Sequence, residues 1–226
     1  MKYAIILFLA FFIGGISLFA SPISLDDIQQ RLATHAVLRC EFSQQRHIAG
    51  LTRPLKASGK ILIAQKHGLY WRQIKPFAQT LILQPGRMVQ ILEGKEPVTI
   101  TPESNPQLFQ FNSLLLAVLN ADRAELEKTF TLDLATNQDV WTLTLTPSTP
   151  PLDKVFRKII LSGSQHIESV KIEDTQGDAT DIRFARHTTT PATLTPAERA
   201  QFSQGQLPSS GVSGQPAARG SALPSS

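Results

Sequence analysis

The chain is short of the residues that staple small exported domains or carry chemistry. It has one cysteine, Cys40, in 226 residues, so no internal disulfide is possible. Cys40 falls inside an apolar–polar alternation, where a lone cysteine behaves as a small buried hydrophobe. With 42% hydrophobic residues, one core can form without a staple. Charge of either sign is also scarce: 22 Lys and Arg stand against 18 Asp and Glu, a net +4. The cations are scattered rather than massed in a patch, so a nucleic-acid partner is not expected. The five histidines are His35, His47, His67, His166 and His187. None sits in an HxxxH or HxH arrangement, and there is no CxxC, so no dedicated metal site is expected. GxSxG, P-loop and GxGxxG motifs are missing. Neither an enzyme nor a cofactor is implied.

A long apolar run occurs once. Met1-Lys2 precedes an apolar stretch from Tyr3 to Ile16, and Ala20 offers a small residue before Ser21-Pro22. That is the layout of a secretory leader, and the run is shorter than the ~20 residues that span a bilayer. Residues 1–20 are therefore read as a cleavable signal peptide of an exported protein. At the other end, residues 203–226 hold 14 Ser, Gly or Pro in 24, with Arg219 the single charge. Such a segment cannot bury enough apolar surface to offset its ordering entropy, so a disordered tail is expected. One domain, residues 21–202, remains.

What is present is periodicity. Ser24 is an N-cap candidate, and Leu25, Ile28, Leu32 and Ala36 place one apolar face on a helix ending near His35. Leu38, Cys40 and Phe42 alternate with polar residues as a strand. Further strands are read over 60–64, 69–74, 79–84 and 87–92, with a short one at 98–101. Turn signals such as Pro85-Gly86 separate them. No room exists between them for crossover helices, so the pairing is antiparallel. Ile61-Leu62-Ile63 and Leu81-Ile82-Leu83 are apolar on both faces, so something must cover both sides there. Residues 106–120 read as an apolar helix opening on Pro106, and Asp122 with Glu125 caps a second piece running to about Lys128. Strands follow over Phe130–Leu134, Trp141–Leu145, 156–162, 166–174 and 180–187, then a helix over 196–202. The fold class is mainly β with α: one large, curved antiparallel sheet, an incomplete barrel, with helices covering its concave face.

Two tryptophans, Trp71 and Trp141, fit either a packed core or the wall of a ligand cavity, and periodicity does not separate these. Phe42-Ser43-Gln44, Gly50-Leu51, Arg53-Pro54-Leu55, Ser58-Gly59, Gly68-Leu69 with Trp71, and Pro76-Phe77 follow one another in the order of a known signature. On these residues the chain resembles the LolA family of periplasmic lipoprotein carriers, and more closely its LolA-like branch. The resemblance covers about residues 24–187. It implies a half-barrel with a helical lid, in the periplasm of a Gram-negative bacterium, sheltering the acyl chains of lipoproteins or of another lipid for transfer toward the outer membrane. An inner-membrane exporter and an outer-membrane acceptor are the partners it implies, with a monomeric carrier between them. The cavity candidates are Phe42, Ile61, Ile63, Leu69, Trp71, Leu81, Leu83 and Leu115. The lid candidates are Leu108, Phe111, Leu116 and Leu119. Where the family places an Arg that locks the lid, this chain has Gln65, and Arg87-Met88-Val89 replaces a Leu-Trp motif. The resemblance therefore implies a different latch. A protein-binding sensor or scaffold built on the same fold, without lipid, is the alternative.

Overall fold

A computed structural model describes residues 23–204, apart from several side chains in the first half of the helix at 106–119. The expected leader, residues 1–20, and the expected tail beyond Gln204 lie outside the described residues. In chain order the elements are α1 (Leu25–Ala33), β1 (Val37–His47), β2 (Leu55–Ala64), β3 (Gly68–Lys75), β4 (Gln79–Gln84), β5 (Arg87–Leu92), β6 (Val98–Ile100), α2 (Pro106–Leu119), α3 (Arg123–Leu126), β7 (Phe130–Asn137), β8 (Val140–Pro147), α4 (Leu152–Val155), β9 (Phe156–Gly163), β10 (Ile167–Asp174), β11 (Ala179–Thr188) and α5 (Pro196–Phe202).

All eleven strands form one sheet, ordered β6-β5-β4-β3-β2-β1-β11-β10-β9-β8-β7, with every pairing antiparallel. Two meanders are thus joined at the centre, where the first and last strands pair, Phe42 opposite Phe184. The edges β6 and β7 do not meet, so the barrel is open. The chain crosses that opening through α2 and α3. The sheet curls tightly. On a flat sheet β3 and β11, three strand steps apart, would lie ~14 Å from each other, yet the rings of Trp71 and Phe184 are 6.5 Å apart, edge to face.

Local chemistry sets the elements as expected. Ser24 and Asp27 form a reciprocal capping box on α1. Asp122 caps α3 by accepting from the Glu125 N–H. Alternation then assigns the faces. Leu69 and Trp71 point to the concave side, and Tyr70 to the convex side. The concave core joins Phe42, Ile61, Leu69 and Leu83 from one meander to Leu143, Leu161 and Ile182 from the other, with Ile28, Val118 and Leu126 closing it from the helices.

Two features differ from the sequence expectation. β2 starts at Leu55 rather than Lys60 and continues through Ser58-Gly59, where its register with β3 shifts. Gly59 is a packing residue there and not a strand break: a Cβ on it would lie 1.9 Å from the Arg72 carbonyl oxygen and 2.8 Å from the Phe42 ring. Also, not every helix lies on the concave face. α5 packs on the convex face with Leu194, where Phe202 joins Leu62, Tyr70, Ile82 and Val89 in a second core. This is the cover that the doubly apolar strands β2 and β4 required. It is fastened by Arg39, whose guanidinium donates to both Glu198 carboxylate oxygens (2.5 and 2.8 Å) and to the Pro191 and Thr193 carbonyls.

Candidate functional site

The concave interior is assembled from side chains whose positions the strands dictate. Phe42 on β1 faces Gly59 on β2, and Ile61 on β2 faces Trp71 on β3. Because Gly59 has no side chain, the Phe42 ring settles over it and reaches Trp71, with ring centroids 4.6 Å apart. Trp71 is only half-buried, in contrast to Trp141, which is fully buried and donates its indole N–H to the Ser164 carbonyl at 2.9 Å. Trp141 is a core residue, and Trp71 sits at the wall of a void.

That void lies between α2 and the sheet. Trp71, Leu115, Val118, Ile159, Val170 and Phe184 are among its walls, every lining residue is apolar, and its volume is about 60 Å³. A second void of about 30 Å³ lies nearer the α1 end, among Leu38, Cys40, Ile61, Ile63, Leu119 and Phe184. A space of this size holds one or two waters at most, and an apolar one stays dry. The interior is therefore nearly filled, and α2 is what fills it. The 14 residues of α2 include no charged side chain, and its second half, Leu114 to Leu119, is apolar without a break, so that half is expected to bury most of its surface. Here Leu114, Leu115 and Leu116 remain half-exposed while Ala117, Val118 and Leu119 are buried. The helix ends at Leu119; just past it Ala121 has φ +46°, and the Asp122 N–H returns to the Ala117 carbonyl at 2.9 Å. A left-handed alanine costs about 1 kcal/mol where glycine would cost little, so the α2–α3 joint stores modest strain.

All eight cavity candidates lie on the concave face in a single cluster. Trp71 and Leu115 border the larger void, and Ile61 and Ile63 the smaller. Phe42, Leu69, Leu81 and Leu83 belong to the same cluster and line neither of these two voids. Of the lid candidates, Leu119 touches both voids and Leu116 packs on the core. The side chains of Leu108 and Phe111 lie outside the described residues. Gln65 shares the wall of the smaller void with Leu119 of α2, but its hydrogen bonds go elsewhere. Its amide donates to the Ala33 carbonyl at 2.6 Å, and its backbone N–H donates to the Ala36 carbonyl. It thus ties the β2–β3 turn to the C-terminal end of α1, beside the smaller void.

Two groups were not foreseen from the sequence. The first is the Arg39–Glu198 clamp, which joins residues 159 positions apart and has no local pattern. Hydrogen bonding from Arg39, joined by the Thr195 N–H and hydroxyl, holds the Glu198 carboxyl down at about 2. The second is a row of imidazoles at the α1 end: His35 and His166 have ring centroids 5.7 Å apart, and His166 and His187 stack at 5.0 Å. Partial burial, then the His187 and His35 charges, push His166 below the ordinary histidine value, against Glu168. Among the described residues no group of three or more His, Cys, Asp or Glu could hold a metal ion. Cys40 is buried, and burial pushes its thiol up to about 12, so it is an inert hydrophobe beside the smaller void.

A family model described as outer membrane lipoprotein carrier protein LolA-like matches residues 19–204. An outer-membrane lipoprotein carrier protein from Dechloromonas aromatica (strain RCB) is 27% identical over 171 residues, covering 75% of this chain and 79% of that protein. Among solved structures, a LolA superfamily protein from Nitrosomonas europaea aligns with a TM-score of 0.41 at 10% identity, over 74% of this chain and 93% of that one. A chain of the Pseudomonas aeruginosa MucA/MucB complex aligns with a TM-score of 0.44 at 14% identity, over 78% of this chain and 60% of that one.

Proposed function

The chain belongs to the LolA-like outer membrane lipoprotein carrier family, and from that premise we propose that it shelters acyl chains, of lipoproteins or another lipid, in its concave interior on the way to the outer membrane. The observation that carries this reading is the all-apolar void between Trp71, Phe184 and the α2 residues Leu115 and Val118. Each methylene moved from water into such a space gains about 0.8 kcal/mol. A void of about 60 Å³ cannot take a whole chain, so loading requires α2 to leave the interior. On this reading the leucines at the end of α2, which pack on the concave core, stand where cargo would lie. Release then needs no bond chemistry and no nucleotide: helix and lipid compete for one apolar surface. The exported, periplasmic setting follows from the same reading.

The test is binding of a diacylated lipopeptide followed by Trp71 fluorescence in a Trp141→Phe background. Saturable binding with a shift in Trp71 emission is expected, and Leu115→Asp, which places a charge at the void, should reduce affinity at least tenfold with the fold intact. Binding that leaves Trp71 emission unchanged, or that Leu115→Asp does not weaken, counts against the interior as the site. Absence of any lipid binding would favour the sensor or scaffold reading.

A further inference from the structure

The exposed large apolar side chains are not spread over the molecule. Eight are exposed among the described residues, and only Val140 lies at the end of the sheet that carries the imidazole row. The strand register places the others at the opposite end. Arg46 pairs with Leu55, so the β1–β2 loop bearing Leu51 projects there. Ser58 pairs with Lys75, which brings Ile74 and Phe77 of the β3–β4 turn alongside. Gln79 pairs with Leu92, and Gln90 with Val98, which adds the β5–β6 loop. Val155, beside the β10–β11 turn through the Thr175 N–H to its carbonyl, is the seventh. Phe77 is 59% exposed, the most of any. Leaving several large side chains in water at one end of a sheet marks an interaction surface rather than chance.

The charge of the same loops says what they meet. Arg53 and Lys95 sit on them, Lys56 and Lys75 lie at the strand ends beside them, and none of the four forms an ion pair with a described residue. The acids on these three loops are Glu93 and Glu96 on the β5–β6 loop; beside them Asp178 is held by Arg46 and the Ala49 N–H, Asp174 accepts from the Gln176 and Asp178 N–H groups, and Asp153 pairs with Lys154. Apolar tips ringed by unpaired cations match the interface of an anionic bilayer, where side chains such as Phe enter the headgroup boundary and Lys and Arg remain at its charged surface. Among the described residues no helix is long and apolar enough to cross a membrane, so these loops would rest on the surface.

We infer that the β1–β2, β3–β4 and β5–β6 loop end is a docking surface for an anionic phospholipid bilayer, with Phe77 and Leu51 as inserting tips and Arg53, Lys56, Lys75 and Lys95 as its cationic ring. The inference stands apart from the cargo reading: a protein that carries nothing could dock in this way, and a carrier could lack it.

The test is co-sedimentation of the full-length protein with phosphatidylcholine vesicles, with and without phosphatidylglycerol, beside Phe77→Ser and the double variant Lys75→Gln/Lys95→Gln. All the proteins share the same N-terminal segment, so differences report the loops. Partition should be at least tenfold greater on the anionic vesicles and should fall with added salt. Each cation removed should lower it by about fivefold, and Phe77→Ser should lower it on both vesicle types. Equal partition of the parent protein on the two vesicles overturns the inference, and so do variants that bind like the parent. Sedimentation of a vesicle-free dimer that Phe77→Ser disperses would instead assign the surface to a second copy. Melting curves that match the parent confirm that the variants are folded. Lipopeptide binding is measured in parallel, and its retention in Phe77→Ser distinguishes failure of docking from failure of the cargo reading.

Discussion

Changing Glu198 to Gln isolates the clamp that holds α5 over the convex core. In the parent, both carboxylate oxygens accept from Arg39, and Glu198 is also the reciprocal partner of Thr195 in the α5 capping box. Glutamine keeps the size and one acceptor but removes the charge, leaving the guanidinium facing a neutral amide. The carboxyl is depressed from 4.5 to about 2, which sets an upper limit of about 3 kcal/mol on its contribution. The side chains of the pair are 16% and 18% exposed, so water screens part of this and about 2 kcal/mol is expected. For a domain of this size that is a fall in Tm of about 4–8 °C. The pH dependence has a definite sign. A depressed carboxyl contributes stability that is complete above the unfolded value of 4.5 and disappears as pH falls through about 2. The gap between parent and Glu198→Gln should therefore be constant from pH 8 to pH 5 and shrink to less than half by pH 3. Urea titrations across that range measure it directly. A gap that is absent at pH 7, or that is the same at pH 3 as at pH 7, refutes the account of α5 docking.

Other outcomes follow from the same contacts. Gly59→Ala puts a methyl 1.9 Å from the Arg72 carbonyl oxygen, a backbone atom that cannot step aside, and should cost about 3 kcal/mol in chemical denaturation. Phe42→Ala removes the ring between Gly59 and Trp71 and should cost about 3–4 kcal/mol; near-parental stability would contradict the packing described. Cys40, buried with its thiol pushed up to about 12, should resist a thiol reagent at pH 7 in the native protein and react at once in urea. The His166 ring should titrate below the ordinary histidine value in an NMR pH series, and His187→Ala should bring it back toward that value.

Much of this architecture was legible because burial writes itself into period. Leu38, Cys40 and Phe42 on β1, and Trp141, Leu143 and Leu145 on β8, alternate without error, and the capping residues Ser24 and Asp122 sit where the helices start. The double apolarity of Ile61-Leu62-Ile63 announced a second covering layer without saying which segment supplies it. α5 is short, and the Arg39–Glu198 pair that seats it joins distant residues, so no local pattern reveals it. The strand read over 60–64 begins earlier, at Leu55, because glycine in a strand means either a break or a close approach, and only the facing Phe42 decides that Gly59 is the latter. The face of β3 that looks inward depended on the same packing. Alternation put the strand-borne cavity candidates on one face, and all eight candidates share the concave cluster, but periodicity does not divide them into wall and packing: Trp71 and Leu115 border the larger of the two voids, whereas Leu69 and Leu83 line neither. Gln65 and the imidazole row show the remaining limit, since a side chain's partners are set by where loops meet.

The central claim is that the concave interior exchanges the leucines of α2 for an acyl chain. Gentle purification of the exported protein, followed by native mass spectrometry and solvent extraction, tests it most directly. The account predicts a bound mass of acyl-lipid character that is released as the protein unfolds and is lost in Leu115→Asp. Protein that emerges bare and shows no saturable uptake of diacylated lipopeptide would contradict it.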